Sequence, residues 1–220
     1  MPTTSPFNLM RIVQMALYII VRPADYFRTM PRQGSLAEPL AFAIVLSIAT
    51  TLISVLIGAA LNQNDGMSVL DLLILAPGMI VTASIIGAGI LFLLWKVLGS
   101  RQGYGVAFRC SVATLAITPV TAIVALIPMI GFWVNVVWTM YLLVIASVEV
   151  HGISKRKAII AFTIFGAVIA ATSALMTAGQ VMLEEQLREL GISPAEFTAM
   201  DKDQQQQTLS DIQRNMQNRP

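Results

Sequence analysis

Five stretches of the chain are continuously apolar, with no polar residue recurring at every second position. They are Pro39–Leu61, Leu72–Trp95, Val106–Ile127, Phe132–Val150 and Ala158–Leu183. A helix needs about 20 apolar residues to cross the hydrocarbon of a bilayer. Only helices and closed barrels satisfy their backbone polar groups there, and a barrel strand would alternate. The pattern therefore predicts an all-α bundle of five transmembrane helices. Asn62 to Gly66 joins the first two spans with strong turn chemistry. Pro128 to Gly131 joins the third and fourth, which makes those two antiparallel neighbours.

Three segments are polar or too short to span. Phe7 to Val21 is an apolar run of about 15 residues that contains Arg11 and Gln14. It reads either as a helix lying in the membrane interface or as one packed on the bundle. Pro31 to Gly34 reads as a hinge into the first span. Beyond Leu183 the chain turns polar. A break is expected at Gly191, followed by a helix start with Ser193 as N-cap, Pro194 in the first turn and Glu196 three residues on. The Gln-rich residues after it read as a solvated helix or a partly disordered end. The expected organisation is a segment 1–38, a five-span domain 39–183 and a polar tail 184–220.

Composition agrees with a membrane location. The chain is 56% apolar and only 12% charged, against about 25% charged in an ordinary soluble domain. Its net charge of +2 gives no reason to expect a nucleic-acid partner. The placement of charge says more. Arg11, Arg22, Arg28 and Arg32 precede the first span, Lys96 and Arg101 follow the second, and Lys155, Arg156 and Lys157 follow the fourth. The other loops hold no Lys or Arg. Cytoplasmic loops carry the excess of basic residues, so the N-terminus is expected in the cytoplasm and the tail outside.

Candidate chemistry is sparse. One cysteine, Cys110, and one histidine, His151, exclude a disulfide within the chain and a Cys-rich zinc site. No hydrolase, kinase or phosphate-loop motif occurs, so neither an enzyme nor a cofactor nor a resident metal is expected. His151 stands at a membrane border among basic residues and would have to serve any Ser/His mechanism alone. Ionisable residues in membrane helices deserve a role or a partner. Asp71 lies at the start of the second span, where a helix N-terminus favours a negative charge. Arg109 and Glu149 lie at the same depth on antiparallel neighbours, which predicts an Arg109–Glu149 pair. Asn135 is placed for a hydrogen bond between helices. Pro77 and Pro119 should kink the second and third spans. Gly166, Ala170, Ala174 and Ala178 form a small-residue stripe, suited to packing within the bundle or to a homodimer.

Several of these segments resemble the Yip domain family. Pro23-Ala24-Asp25-Tyr26-Phe27 and Leu36-Ala37-Glu38-Pro39-Leu40 resemble the entry to the first helix of bacterial members. Gly103 to Arg109 resembles the loop into the third span, and Pro128 to Trp133 its short 3–4 turn. Glu149-Val150-His151-Gly152-Ile153-Ser154 with Lys157-Ala158 is the most specific part. The resemblance implies five spans and a cytoplasmic N-terminus. Eukaryotic members bind Rab-type GTPases on Golgi and endoplasmic reticulum membranes through a long cytosolic region. This chain carries no such region before its first span, so GTPase binding is not expected. A bacterial cytoplasmic membrane is the expected location, with Golgi or endoplasmic reticulum as the alternative.

Two functions fit. One is a non-enzymatic scaffold or adaptor that meets a membrane-protein partner, or a second copy, through its exposed segments. The other is transport or lipid handling through a cavity among the kinked second, third and fourth spans.

Overall fold

A computed structural model of the chain describes residues 9–61, 69–127 and 130–217. The loop expected at Asn62 to Gly66 and the Pro128-Met129 start of the 3–4 turn lie outside the described residues. The described residues are helical, with no strand among them. They divide into two compact units, 1–166 and 167–220.

In the first unit, α1 (Leu9–Val21) and α2 (Pro23–Thr29) precede the first span. Helix α2 has Pro23 in its first turn, where the missing N–H would have found no partner. Asp25 in the first turn and Arg28 in the last complement the helix dipole. The expected hinge follows, with Gly34 at φ +101°, a conformation that a Cβ would strain.

All five expected spans are present as helices long and apolar enough to cross a membrane. They are α3 (Ala37–Ala60), α4 (Val69–Val97), the third span, α7 (Ile130–Glu149) and α8 (Lys155–Glu189). Consecutive spans α3 and α4 pack together, α4 packs on the third span, and the third span packs on α7. The third span is the centre of the bundle: 56% of its apolar window is buried, against 11% to 33% for the others.

That central span is broken into α5 (Tyr104–Ala113), a 3-10 turn over Thr114–Ile117 and α6 (Thr118–Val124). Pro119 is the reason. It has no N–H for the carbonyl four residues back, Leu115, and its ring crowds that carbonyl. The Thr118 hydroxyl donates to the Leu115 oxygen instead, at 2.8 Å. In lipid such a freed carbonyl needs a substitute donor. Thr118 also shares a hydrogen bond of 2.9 Å with Thr50 of α3, which ties the break to a neighbour. Pro77 lies inside α4 without interrupting it.

Helix α1 has three faces. Ile12, Ala16 and Ile19 are buried in the core. Arg11, Gln14, Met15 and Tyr18 share a second stripe at helical spacing. Leu9, Val13 and Leu17 point outward, 62%, 46% and 56% exposed. Of the two readings of this segment, packing on the bundle therefore accounts for one face only.

In the second unit α8 runs on to Glu189, and Gly191 at φ +73° ends the helix. The capping box expected at Ser193 is present. Glu196 N–H donates to the Ser193 hydroxyl at 3.2 Å, and Ser193 N–H donates to the Glu196 carboxylate at 2.8 Å. The Ser193 N–H, together with the Ser193 hydroxyl at 2.9 Å, holds the Glu196 carboxyl below the usual range. The short α9 (Pro194–Ala199) results. Asp201 and Gln204 repeat the device at the start of α10 (Lys202–Gln217), so the Gln-rich residues are helical. The small-residue stripe is buried at Gly166, half-buried at Ala170 and exposed at Ala174 and Ala178.

Candidate functional site

The polar residues of the first unit gather where segment 22–36 meets the loops after α4 and α7. This end also carries Arg28, Arg32, Lys96 and Arg101. Hydrogen bonds knit it together: Gln102 Nε2 donates to Val150 O at 3.3 Å, and Arg32 Nη2 donates to Glu149 O at 3.3 Å.

The expected Arg109–Glu149 pair does not form. Glu149 is held by Arg28, whose Nε and Nη2 donate to its two carboxylate oxygens at 2.8 and 3.0 Å. Arg109 turns to the hinge, where Nη2 donates to the carbonyl oxygens of Gln33, Gly34 and Ser35 at 3.5, 3.0 and 2.7 Å. Glu149 does take an arginine, but it is one that α2 brings. A side-on fork on both carboxylate oxygens is the better geometry. The non-helical hinge, in turn, has carbonyls without helical partners, and a guanidinium can take several at once.

His151 lies in the loop after α7 and is 8% exposed. Its ring stacks on Trp95 of α4 with centroids 3.9 Å apart. Trp95 donates from Nε1 to the Ser147 hydroxyl at 2.8 Å. Ser100 Oγ lies 2.7 Å from His151 Nδ1 and accepts from Gln102 N–H at 3.1 Å. The Ser100 hydrogen is thus available to Nδ1, which leaves Nε2 facing the Cys110 sulfur at 3.9 Å. Burial lowers the His151 pKa to about 4, helped by Arg32 and Lys96 nearby. The arrangement orients a neutral imidazole. Cys110 is fully buried beside it.

Two other candidates sit at the far ends of their spans. Asn135 Nδ2 donates to Thr121 Oγ1 at 3.1 Å, the expected bond between α7 and the third span. Asp71 occupies the first turn of α4, as its charge suggested. The structure therefore brings Arg109, Glu149 and His151 to one end and leaves Asp71 and Asn135 elsewhere.

A cavity of about 410 Å³ opens between α1, α2, the hinge, the start of α3 and α5. Among the five candidate residues only Arg109 lines it, together with Arg11, Tyr18, Tyr26 and Glu38. Arg11 and Glu38 form an ion pair of 2.7 Å. Sequence reasoning missed Arg28, Tyr26 and Glu38 as functional residues. Tyr26 and Glu38 stand in the two segments around Asp25 and Pro39 that carry the family resemblance, and Arg28 figured only among the basic residues before the first span. Among the described residues no cluster of three metal-ligating side chains occurs.

A family model of the Yip1 domain matches residues 17–176, most of the chain. The chain belongs to the Yip1 domain family. Yip1 family proteins are generally non-enzymatic membrane proteins. This one is accordingly a multi-pass membrane protein, and α4 leaves Ile74, Ile86 and Leu93 exposed on its surface. No curated protein and no solved structure matches the chain.

Proposed function

We propose that this Yip1-domain protein is a membrane scaffold or adaptor without catalytic activity, oriented with its basic end in the cytoplasm. The observation that carries the reading is how the polar side chains at that end are used. Arg28, Arg32 and Arg109 fasten the N-terminal segment across the bundle, and His151, Ser100 and Trp95 fasten the loops. These groups hold a shape. The 410 Å³ cavity does not run among the second, third and fourth spans, and Asp71, Asn135 and Glu149 do not line it. Transport through those spans therefore has less support than a fixed platform.

The orientation rests on the alternation of Lys and Arg between loops. The outward Leu9, Val13 and Leu17 support an interfacial position for α1. The residues at 23–27 and 36–40 favour a bacterial cytoplasmic membrane. Contact with a partner falls to the exposed segments, chiefly the tail with α9 and α10. Crosslinking in native membranes, followed by mass spectrometry, tests this. A scaffold yields one reproducible membrane-protein partner, lost when the tail is deleted. Recovery of this chain alone, with or without the tail, would argue against the adaptor.

A further inference from the structure

Arg109 is a buried cation whose charge no described carboxylate neutralises. It is only 7% exposed, and its partners are three backbone carbonyls, all reached through Nη2. A guanidinium has five N–H donors. Those on Nε and Nη1 donate to no described residue, although the side chain lines the cavity of about 410 Å³. A buried charge without a counter-charge is costly. The hydroxyl of Tyr26, which lines the same cavity, also bonds to no described residue. Arg11 adds a second guanidinium, paired to Glu38. With Arg109 and Arg11 against Glu38, the cavity carries one net positive charge.

The rest of the lining is apolar: Met15, Phe42, Val112 and Ala113. Arg109 stands five residues into a span that begins at Tyr104, about 7 Å along the helix. Arg109 is thus near one end of the span, where a long basic side chain can reach towards the headgroups. Helix α1, which walls the cavity, turns Leu9, Val13 and Leu17 outward, as a helix in the interface does. A soluble anion would fit the polar part and leave the apolar part unused. An anionic amphiphile fits both, and basic pockets between membrane helices hold such headgroups.

We propose that the cavity between α1, α2 and α5 binds an anionic phospholipid, its phosphate held by Arg109, Arg11 and the Tyr26 hydroxyl. The site goes beyond the scaffold reading and does not depend on it. Burial raises the Tyr26 pKa far above its ordinary value, so the phenol stays protonated and can donate. The lipid would tie α1 to the hinge through a buried charge that no described carboxylate pairs with.

The test uses the full chain in a neutral detergent. Short-chain phosphatidylglycerol, short-chain phosphatidylcholine and inorganic phosphate are titrated separately, read by native mass spectrometry and thermal unfolding. Arg109→Gln is avoided as the main variant because Arg109 also secures the hinge. Tyr26→Phe removes one donor, Arg11→Gln removes one charge, and Gln14→Trp fills the cavity from the exposed side of α1. Phosphatidylglycerol should bind about tenfold more tightly than phosphatidylcholine. Each variant should weaken it about tenfold, the scale of one charge-assisted hydrogen bond, with lipid-free unfolding little changed. Equal binding of the two lipids would overturn the proposal. So would inorganic phosphate raising the melting temperature as far as phosphatidylglycerol does, which assigns the site to a soluble anion. Undiminished phosphatidylglycerol binding in all three variants would overturn it as well.

Discussion

Arg28 and Arg109 divide the acceptors at the basic end between them. Arg28 takes the Glu149 carboxylate, and Arg109 takes the hinge carbonyls. A double-mutant cycle separates these roles. Arg28→Ala and Glu149→Ala should show measurable coupling in thermal unfolding, reduced by salt because Arg28 is exposed. Arg109→Ala and Glu149→Ala should be additive; coupling there of the same size would restore the pair that depth alone suggested. His151 gives a second prediction, in pH. Its folded pKa is about 4, against an ordinary value of 6.5. Between those values the unfolded chain takes up a proton that the folded chain refuses. Stability therefore falls as pH drops from about 6.5 towards 4 and is unaffected by this group above that range. His151→Gln should flatten that part of the profile, and an unchanged slope would show that other groups set it. That Arg109 and Glu149 would each need a polar partner was legible in the sequence, because charges in apolar stretches stand out. Their partners were not. Glu149 meets an arginine 121 residues away, and two arginines satisfied the same criteria of depth and sign. Tyr26 and Glu38 gave no signal of their own, since both stand in segments where polar residues are ordinary.

Among the elements, the spans were the most legible because lipid imposes a length and forbids interruption by charge. The observed helices begin and end within a few residues of the apolar limits, except where α8 continues to Glu189. Its 35 residues give about 52 Å, well beyond the hydrocarbon thickness of about 30 Å. Pro119 announced a kink but not a full break with a 3-10 turn, because the extent depends on the Thr118 and Thr50 hydroxyls. Thr118→Val removes both of those bonds at constant shape and should cost about 1–2 kcal/mol in unfolding; no loss would mean that water or a backbone shift replaces them. Two glycines show how packing between elements decides a substitution. A Cβ on Gly131 would lie 2.7 Å from backbone atoms of Ala125, whereas one on Gly166 would meet the flexible Met140 side chain at 3.0 Å. Gly131→Ala should cost about 1–3 kcal/mol and Gly166→Ala much less. Equal unfolding temperatures for the two variants would contradict this packing.

For the molecule as a whole, the proposed orientation puts the N-terminal segment and the tail on opposite sides of the membrane, because five spans are an odd number. Which side is which rests on the basic residues alone. Two of them, Arg28 and Arg32, also fasten the N-terminal segment to Glu149. The direct measurement is labelling of single cysteines in intact cells with a membrane-impermeant maleimide, in a Cys110→Ala background. Gln206→Cys in the tail and Ser154→Cys after α7 are both exposed positions. Gln206→Cys should be labelled without permeabilisation and Ser154→Cys only after it. Labelling of both from the same side, or the reverse order, would contradict the proposed orientation.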